Sequence, residues 1–171
     1  MSYQNRTVTL NGNKQILTGN VVKEGNAAPD FRAVELDMRQ FEFSKTSGKI
    51  RIISAVTSLD TAVCDRETRR FNEEAAKLGA DVEIITISMD LPFAQRRWCG
   101  AAGIDKVKVL SDYRDRSFGH AYGVLVEESK LLARAVFIVD RNGILRYLQL
   151  VDDISHEPDY QSVLQAAKAL L

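Results

Sequence analysis

The stretch TSLDTAVC, residues 57–64, marks the point where an apolar run gives way to a helical pattern. Residues 50–56 before it read IRIISAV, which has the length and the β-branched composition of a buried strand. After it, residues follow one another at the spacing of one helix face as far as Gly79. They are Cys64, Thr68, Phe71, Ala75 and Leu78. The sequence therefore predicts a central strand, a short loop and a helix whose first turn carries Cys64.

Cys64 has two interpretations. The N–H groups of a helix's first turn lack intrahelical partners and the helix dipole is positive there, so a thiolate is favoured over a thiol. Cys64 also lies on the apolar stripe, and a buried cysteine is among the commonest core residues. Thr61, one turn back, has a hydroxyl within reach of the sulfur, which favours a nucleophilic role.

Length and composition indicate one domain spanning residues 1–171, with 23 basic and 23 acidic side chains. The balanced charge gives no sign of a nucleic-acid partner or of a charged membrane surface. No apolar run approaches the roughly 18 residues of a membrane span, and the first residues, MSYQNR, lack a signal peptide's hydrophobic region. We therefore expect a cytoplasmic protein, in which two cysteines are more often catalytic or redox-sensing than a permanent disulfide.

The other elements follow from turn and period signals. Asn11-Gly12-Asn13 predicts an N-terminal β-hairpin that acts as a two-stranded flap, and residues 140–143 predict a second hairpin. Residues 33–36 and 40–43 alternate like edge strands, and residues 82–88 form a second buried strand.

Three further helices complete the predicted pattern, and one of them is a short helix over residues 117–122 that Gly123 ends. Another begins with Asp90 as its cap and Pro92 in its first turn, and it carries Cys99. Because Gly100 and Gly103 interrupt it, we expect this helix to unfold easily. A terminal helix starts at Pro158. The order of elements predicts an α/β fold with one mixed β-sheet flanked by helices.

Several ordered blocks carry a family resemblance, beginning with Ala28-Pro29-Asp30-Phe31. The others are SLDTAVC at 58–64, DLPFAQR at 90–96, CG at 99–100, ARAV at 133–136 and LVDDI at 150–154. Together they resemble the peroxiredoxins, and most closely the bacterial thiol peroxidases of the atypical two-cysteine branch. The resemblance runs from the N-terminal hairpin to the last helix and implies a thioredoxin-like fold.

The resemblance also implies roles for individual residues. Cys64 matches the peroxidatic cysteine, whose thiolate attacks hydrogen peroxide or an organic hydroperoxide and becomes a sulfenic acid. Thr61 matches the threonine that hydrogen-bonds the sulfur and the peroxide, and Arg134 matches the arginine that holds the thiolate and polarises the O–O bond. Cys99 matches the resolving cysteine, which forms an intrachain disulfide that thioredoxin reduces. The resemblance further implies a homodimer and no cofactor.

Elementary chemistry bears on Cys99 and Arg134 as well. A sulfenic acid without a partner thiol is exposed to irreversible over-oxidation, so a second cysteine is useful, although Cys99 is also explained as a core residue beside Trp98. Arg134 is either an ordinary surface arginine or, between two alanines ahead of an apolar run, a paired one. The cysteines are predicted on separate helices, so their Cα atoms should lie beyond the roughly 7 Å that a disulfide tolerates, and local unfolding should accompany its formation.

Other interpretations remain open. The resemblance places a proline where this chain has Thr57, so the alternative is a catalytically weakened peroxidase, or a redox-sensing or binding domain without enzymatic activity, on the same fold. A thiol-disulfide oxidoreductase would normally carry a Cys-x-x-Cys motif, and Cys64 is not part of one. The two histidines lack ligand-like neighbours, so no metal site is expected. Arg66, Arg69 and Arg70, with Glu67 and Glu73, predict a solvated helix face.

Overall fold

The computed structural model describes residues 6–46 and 48–171; the first five residues, which entered the assessment of a signal peptide, lie outside that description. The strands are β1 (Thr7–Leu10), β2 (Asn13–Thr18), β3 (Arg32–Val34), β4 (Gln40–Glu42), β5 (Ile50–Ala55), β6 (Val82–Ser88), β7 (Lys108–Ser111), β8 (Leu125–Val126), β9 (Ala135–Val139) and β10 (Leu145–Leu150). The helices are α1 (Ala62–Leu78), α2 (Pro92–Ala102), α3 (Ser117–Tyr122) and α4 (Tyr160–Lys168).

A seven-stranded mixed sheet forms the centre, with the strand order β10-β9-β5-β6-β7-β3-β4. Every residue of β5 is buried, as its continuous β-branched sequence predicts for a strand covered on both faces. Separate apolar clusters form the core, one of which includes residues of α1, α2 and α4. The predicted α/β class and the thioredoxin-like mixed sheet flanked by helices are confirmed.

The strand directions bring distant segments to one edge of this sheet. β5 and β6 run parallel, so the loops that follow them lie side by side. β9 runs antiparallel to β5, with Ala135 opposite Ala55, which places Arg134 at the same edge. The loop before α1, the start of α2 and Arg134 therefore meet there.

The N-terminal hairpin is present, but it is not an isolated two-stranded flap. β2 also pairs with β8, which gives a three-stranded sheet. Asn11 and Gly12 have φ values of 49° and 80°, the positive values that their turn requires. The turn is fixed to the loop after β10 by Asp153, whose carboxylate accepts the Gly12 N–H at 3.0 Å and the Thr9 hydroxyl at 2.6 Å.

Some predicted boundaries are wrong. Asp90 does not cap α2, because Leu91 occupies that position and the Asp90 carboxylate is bound by the loop before α1. The terminal helix begins at Tyr160 rather than Pro158, because the Asp159 side chain accepts the Ser162 N–H as its cap. The strand predicted over 40–43 ends one residue early, where Phe43 begins a single 3-10 turn.

In the part of the chain that the structure describes, no helix combines the length and the apolar character needed to cross a bilayer.

Asp112 gives the fold a testable pH dependence. Its buried carboxylate accepts the Phe118 and Gly119 N–H groups at 2.9 and 2.8 Å. Burial outweighs these bonds and raises its pKa from 3.8 to about 6. Since the folded state binds this proton more tightly, the stabilisation is complete below the unfolded pKa and is lost as the pH rises through about 6.

We expect the free energy of unfolding of the parent, relative to that of Asp112→Asn, to fall by about 2 kcal/mol between about pH 4 and pH 7. Urea titrations of both proteins across this range measure the difference. A difference that stays constant with pH would contradict the raised pKa.

Candidate active site

Cys64 occupies the third position of α1, at the sheet edge described above. Its side chain is buried within an apolar cluster, and both cysteines are thiols. The Asp65 N–H donates to the Thr61 carbonyl at 2.9 Å and closes the first helical turn. Cys64 is therefore buried, as its interpretation as a core residue predicts. Its polar contacts decide whether it can also act as a nucleophile.

Arg134 supplies the decisive contact. Its Nη2 donates to Cys64 Sγ at 3.3 Å, its Nε donates to the Ile154 carbonyl at 3.0 Å, and its Nη1 donates to the Glu67 carboxylate. Arg134 is 1% exposed, so this is a paired, buried arginine and not a surface one. Arg134 therefore places a positive charge and a hydrogen-bond donor directly at the Cys64 sulfur.

The charges around Arg134 balance one another. Burial by itself would lower the pKa of Arg134, but Glu67 and the Cys64 sulfur outweigh it and raise that pKa above its usual value. Burial raises the pKa of Glu67, opposed by Arg134 and by the Ser54 hydroxyl, which donates to Glu67 at 2.8 Å. Arg134 thus stays positively charged beside the sulfur.

Glu67 was missed by the sequence analysis, which placed it on a solvated helix face. That prediction is wrong, because Glu67 is fully buried, whereas Arg66, Arg69 and Arg70 are exposed as expected. The spacing held a signal: Glu67 lies three residues after Cys64, and residues three apart share a face of a helix. A buried cysteine there implies that Glu67 points inward too.

Thr61 lies at the N-terminal cap of α1, but its hydroxyl donates to the Ser58 carbonyl at 2.8 Å rather than to the sulfur. The Asp90 carboxylate accepts the Ser58 hydroxyl at 2.7 Å and the Leu59 N–H at 2.8 Å. The loop before Cys64 is therefore held by a hydrogen bond within it and by Asp90, which lies between β6 and α2. The oxygen of Thr61 still has acceptor capacity toward a bound molecule.

Thr57 has a partner of its own. Its hydroxyl donates to the carbonyl of Leu132 at 3.1 Å, which ties the loop to the segment just before Arg134. Where proline would restrict the loop by fixing φ, threonine restrains it with a hydrogen bond to the tertiary structure.

Cys99 lies on the neighbouring helix α2 and is 7% exposed. Burial raises the pKa of its thiol. Cys99 belongs to the same apolar cluster as Cys64, while Trp98 beside it donates through Nε1 to Asp65 at 2.9 Å. The structure thus brings Arg134 into contact with both Cys64 and Glu67 and places Cys99 on an adjacent element.

A cavity of about 350 Å³ opens between the start of α1 and α2. It is lined by Leu59, Asp60, Thr61, Ala62, Asp65 and Trp98. This cavity lies over the first turn of the helix that carries Cys64, and Cys64 itself is buried beneath that turn rather than among the lining residues.

Fold and site together define a class: thioredoxin-fold proteins with a cysteine at the start of a helix and a guanidinium that donates to its sulfur, the arrangement that the resemblance to the peroxiredoxins implies. Comparison with known proteins is more specific. A family model described as Redoxin matches residues 23–164. The thiol peroxidase of Bacillus subtilis is 52% identical over 164 residues, which cover 96% of this chain and 98% of that protein.

Further matches agree with this. The thiol peroxidase of Halalkalibacterium halodurans is 50% identical over 165 residues, covering 96% of this chain and 99% of its own length. The crystal structure of a peroxiredoxin-like protein from Aquifex aeolicus matches with a TM-score of 0.92 and 42% identity, covering 97% of this chain and 98% of that one. The chain belongs to the Redoxin family and, within it, to the thiol peroxidases. A thiol-dependent peroxidase activity is the function that this membership supports, and the weakened or non-enzymatic alternative is not favoured.

Proposed function

We propose that the chain reduces hydrogen peroxide and organic hydroperoxides through Cys64, with Cys99 as the resolving cysteine and thioredoxin as the reductant. The observation that supports this most directly is the Arg134 Nη2 contact with Cys64 Sγ at 3.3 Å, within a buried site. A thiolate held by a guanidinium at a helix start is the nucleophile that peroxide reduction requires.

The first step is attack of the Cys64 thiolate on the terminal peroxide oxygen. An S–O bond forms, the O–O bond breaks, and the leaving alkoxide or hydroxide takes up a proton to give an alcohol or water. Cys64 is oxidised by two electrons to the sulfenic acid, and the peroxide is reduced by two electrons. Arg134 donates to the reacting oxygens as negative charge passes to the leaving group, and the Thr61 hydroxyl oxygen accepts a hydrogen bond from the peroxide O–H.

The second step is attack of the Cys99 thiol on the sulfenic sulfur. An S–S bond forms, the S–O bond breaks, and the hydroxide leaves as water with the proton of the Cys99 thiol. A dithiol reductant then restores both thiols by exchange, and thioredoxin supplies that dithiol. No cofactor is needed, because thiols carry all the electrons.

The surfaces beside the site also support proposals on substrate range and assembly. The cavity between α1 and α2 contains the apolar side chains of Leu59 and Trp98, which suit an organic hydroperoxide as well as hydrogen peroxide. Leu91 and Phe93 at the start of α2 are 50% and 58% exposed, and such an apolar surface beside the site supports a homodimer. We place the enzyme in the cytoplasm, where a thioredoxin system keeps both cysteines reduced.

One equivalent of peroxide is expected to link Cys64 to Cys99 within one chain, because the sulfenic acid has a thiol partner on the adjacent helix. Peptide mapping by mass spectrometry under non-reducing conditions identifies the pair. Continued consumption of peroxide is then expected in the presence of thioredoxin, thioredoxin reductase and NADPH. Glutathione with glutaredoxin is the comparison reductant. A stable sulfenic acid with Cys99 free, or a disulfide found only between chains, would contradict the role of Cys99.

A further inference from the structure

Asp65 and Trp98 are the immediate neighbours of the two cysteines, since Asp65 follows Cys64 and Trp98 precedes Cys99. Trp98 Nε1 donates to Asp65 Oδ1 at 2.9 Å, and both residues are partly buried. The bond therefore ties the first turn of α1 to α2 beside the two sulfur-bearing positions.

Arg69 reinforces this contact from α1. Its Nε donates to Asp65 Oδ2 at 2.9 Å, and its Nη1 donates to the Ala102 carbonyl at the end of α2, at 3.3 Å. Its guanidinium carbon lies 5.8 Å from the centroid of the Trp98 ring. We call this set of contacts, made by Asp65, Arg69, Trp98 and the Ala102 carbonyl, the α1–α2 latch.

The latch acts on a segment with firm anchors on either side. Gln95, in the first half of α2, donates to the Ser88 hydroxyl at 3.0 Å and to the Leu110 carbonyl at 2.8 Å. Beyond the helix, the Asn72 side chain accepts the Lys106 N–H at 2.8 Å. Residues 96–104 lie between these anchors and carry the second cysteine, so movement of that segment leaves the anchors in place.

The same segment contains an exposed glycine inside α2, Gly100, two residues before the helix ends, and glycine lowers helix stability relative to alanine. Successive side chains of a helix point about 100° apart, so Trp98 facing Asp65 directs Cys99 elsewhere, into the apolar core. A disulfide requires Cβ atoms about 3.5–4.5 Å apart. Movement of segment 96–104 that carries Cys99 toward Cys64 breaks the Trp98 bond to Asp65.

We propose that the α1–α2 latch holds Cys99 in its buried position and so limits the rate at which the Cys64 sulfenic acid becomes a disulfide. The proposal rests on the resolving role of Cys99 proposed above. The latch gives the sulfenic acid a longer lifetime, during which excess peroxide oxidises it to the sulfinic acid. Asp65, Arg69 and Trp98 are thus positioning residues for the second step, and their contacts set how readily the enzyme is over-oxidised.

Trp98→Phe is the direct test, because phenylalanine keeps an aromatic ring and lacks the N–H donor. The variant is mixed with one equivalent of hydrogen peroxide, quenched in acid at intervals, and the disulfide is quantified by mass spectrometry. We expect its first-order rate of formation to rise about fivefold, which corresponds to about 1 kcal/mol. The yield of sulfinic acid at excess peroxide is expected to fall in parallel. An unchanged or slower rate would overturn the proposal.

A matched pair of arginines separates the latch from general effects of charge. Arg69 and Arg70 are both about half exposed, each pairs with a carboxylate four residues away, and each lies near an aromatic ring, Trp98 or Tyr160. Arg69→Gln is expected to raise the rate of disulfide formation about threefold and Arg70→Gln to leave it unchanged. Equal effects of the two substitutions would contradict the latch.

Gly100→Ala tests the moving segment with an effect of opposite sign. A Cβ built at Gly100 meets no atom within 4 Å outside the helix's own backbone, so alanine stiffens α2 without a clash. We expect disulfide formation to slow about threefold. A rate equal to the parent's would show that segment 96–104 does not open, and would also overturn the latch.

Trp98 supplies a second readout, since it is the single tryptophan of the chain. In the parent and in Arg69→Gln, release of the indole from Asp65 is expected to change its fluorescence at the rate of disulfide formation, which a merely structural contact would not do. Failure of the proposed function is seen separately: the parent then forms no Cys64–Cys99 disulfide at all. If the parent forms it and Trp98→Phe forms it no faster, the latch alone is wrong.

Discussion

Cys64→Ser is expected to abolish peroxide reduction, with a loss of at least about a thousandfold in the second-order rate constant. A serine hydroxyl stays protonated at neutral pH and is a poor nucleophile toward peroxide oxygen, whereas its size and hydrogen bonding resemble those of the thiol. Arg134 Nη2, which donates to the sulfur at 3.3 Å, has an oxygen acceptor in the variant. The measurement is stopped-flow consumption of peroxide, alongside thermal unfolding to show that the fold persists.

Cys99→Ser is the control that separates the two steps of this prediction. It retains Cys64 and is expected to consume one equivalent of peroxide quickly, then more slowly the equivalents that over-oxidise the sulfenic acid, and to show no continued turnover, since thioredoxin meets no disulfide. Substantial turnover by Cys64→Ser would mean that Cys99 or another group is the nucleophile, and the assignment of Cys64 would be wrong.

The sequence predicts well what depends on local periodicity. The run 50–56 and the helical stripe from Cys64 to Leu78 correspond to β5 and α1, with Gly79 at the end of the helix as expected. Both signals arise from side chains that face one core, so neighbouring residues carry the information. The position of Cys64 at the start of α1 follows from them.

The polar contacts of the site depend on tertiary structure. Asp90 has the residue type and position of a helix cap, yet Ser58 and Leu59 offer it better donors from a segment about thirty residues away. In the sequence, Thr57 stands out only because the resemblance places a proline at that position. In the structure, its hydroxyl donates to the Leu132 carbonyl, 75 positions away. No local pattern reveals such partners, because strand order brings them together.

Glu67 shows the same limit most clearly. Charged residues on a helix are usually exposed. Arg66 and Arg70 are exposed, and among these three residues the expectation fails at Glu67. It fails there because Arg134, from a different part of the chain, provides a buried positive charge. The resemblance identified Arg134, and the partner that keeps Arg134 in place required the structure.

A buried salt bridge is weak evidence for stability, because the cost of removing two charges from water offsets their attraction. The Arg134–Glu67 pair is better explained by the need for a charged guanidinium at the sulfur. Glu67 and Ile154 hold the rest of that guanidinium, so that Nη2 alone is left to face Cys64. Removing Glu67 should therefore affect both stability and chemistry.

Glu67→Ala is expected to lower the free energy of unfolding by about 3–5 kcal/mol, because it leaves the Arg134 charge buried without its partner. Glu74→Ala is the matched control: Glu74 lies on the same helix with 8% exposure, but its partners Arg70 and Lys77 are exposed, so about 1 kcal/mol or less is expected. Guanidinium chloride titrations measure both.

Glu67→Ala is also expected to slow Cys64 oxidation at least about tenfold, since a displacement of about 1 Å at a reacting group can cost a hundredfold. Glu67→Gln, whose single amide oxygen can still accept from Arg134 while its NH2 group donates to the Ser54 hydroxyl oxygen, should recover much of the rate but not all of the stability. If Glu67→Ala costs no more than Glu74→Ala, Arg134 finds water or another acceptor on its own, and Glu67 is not what holds the guanidinium against the sulfur.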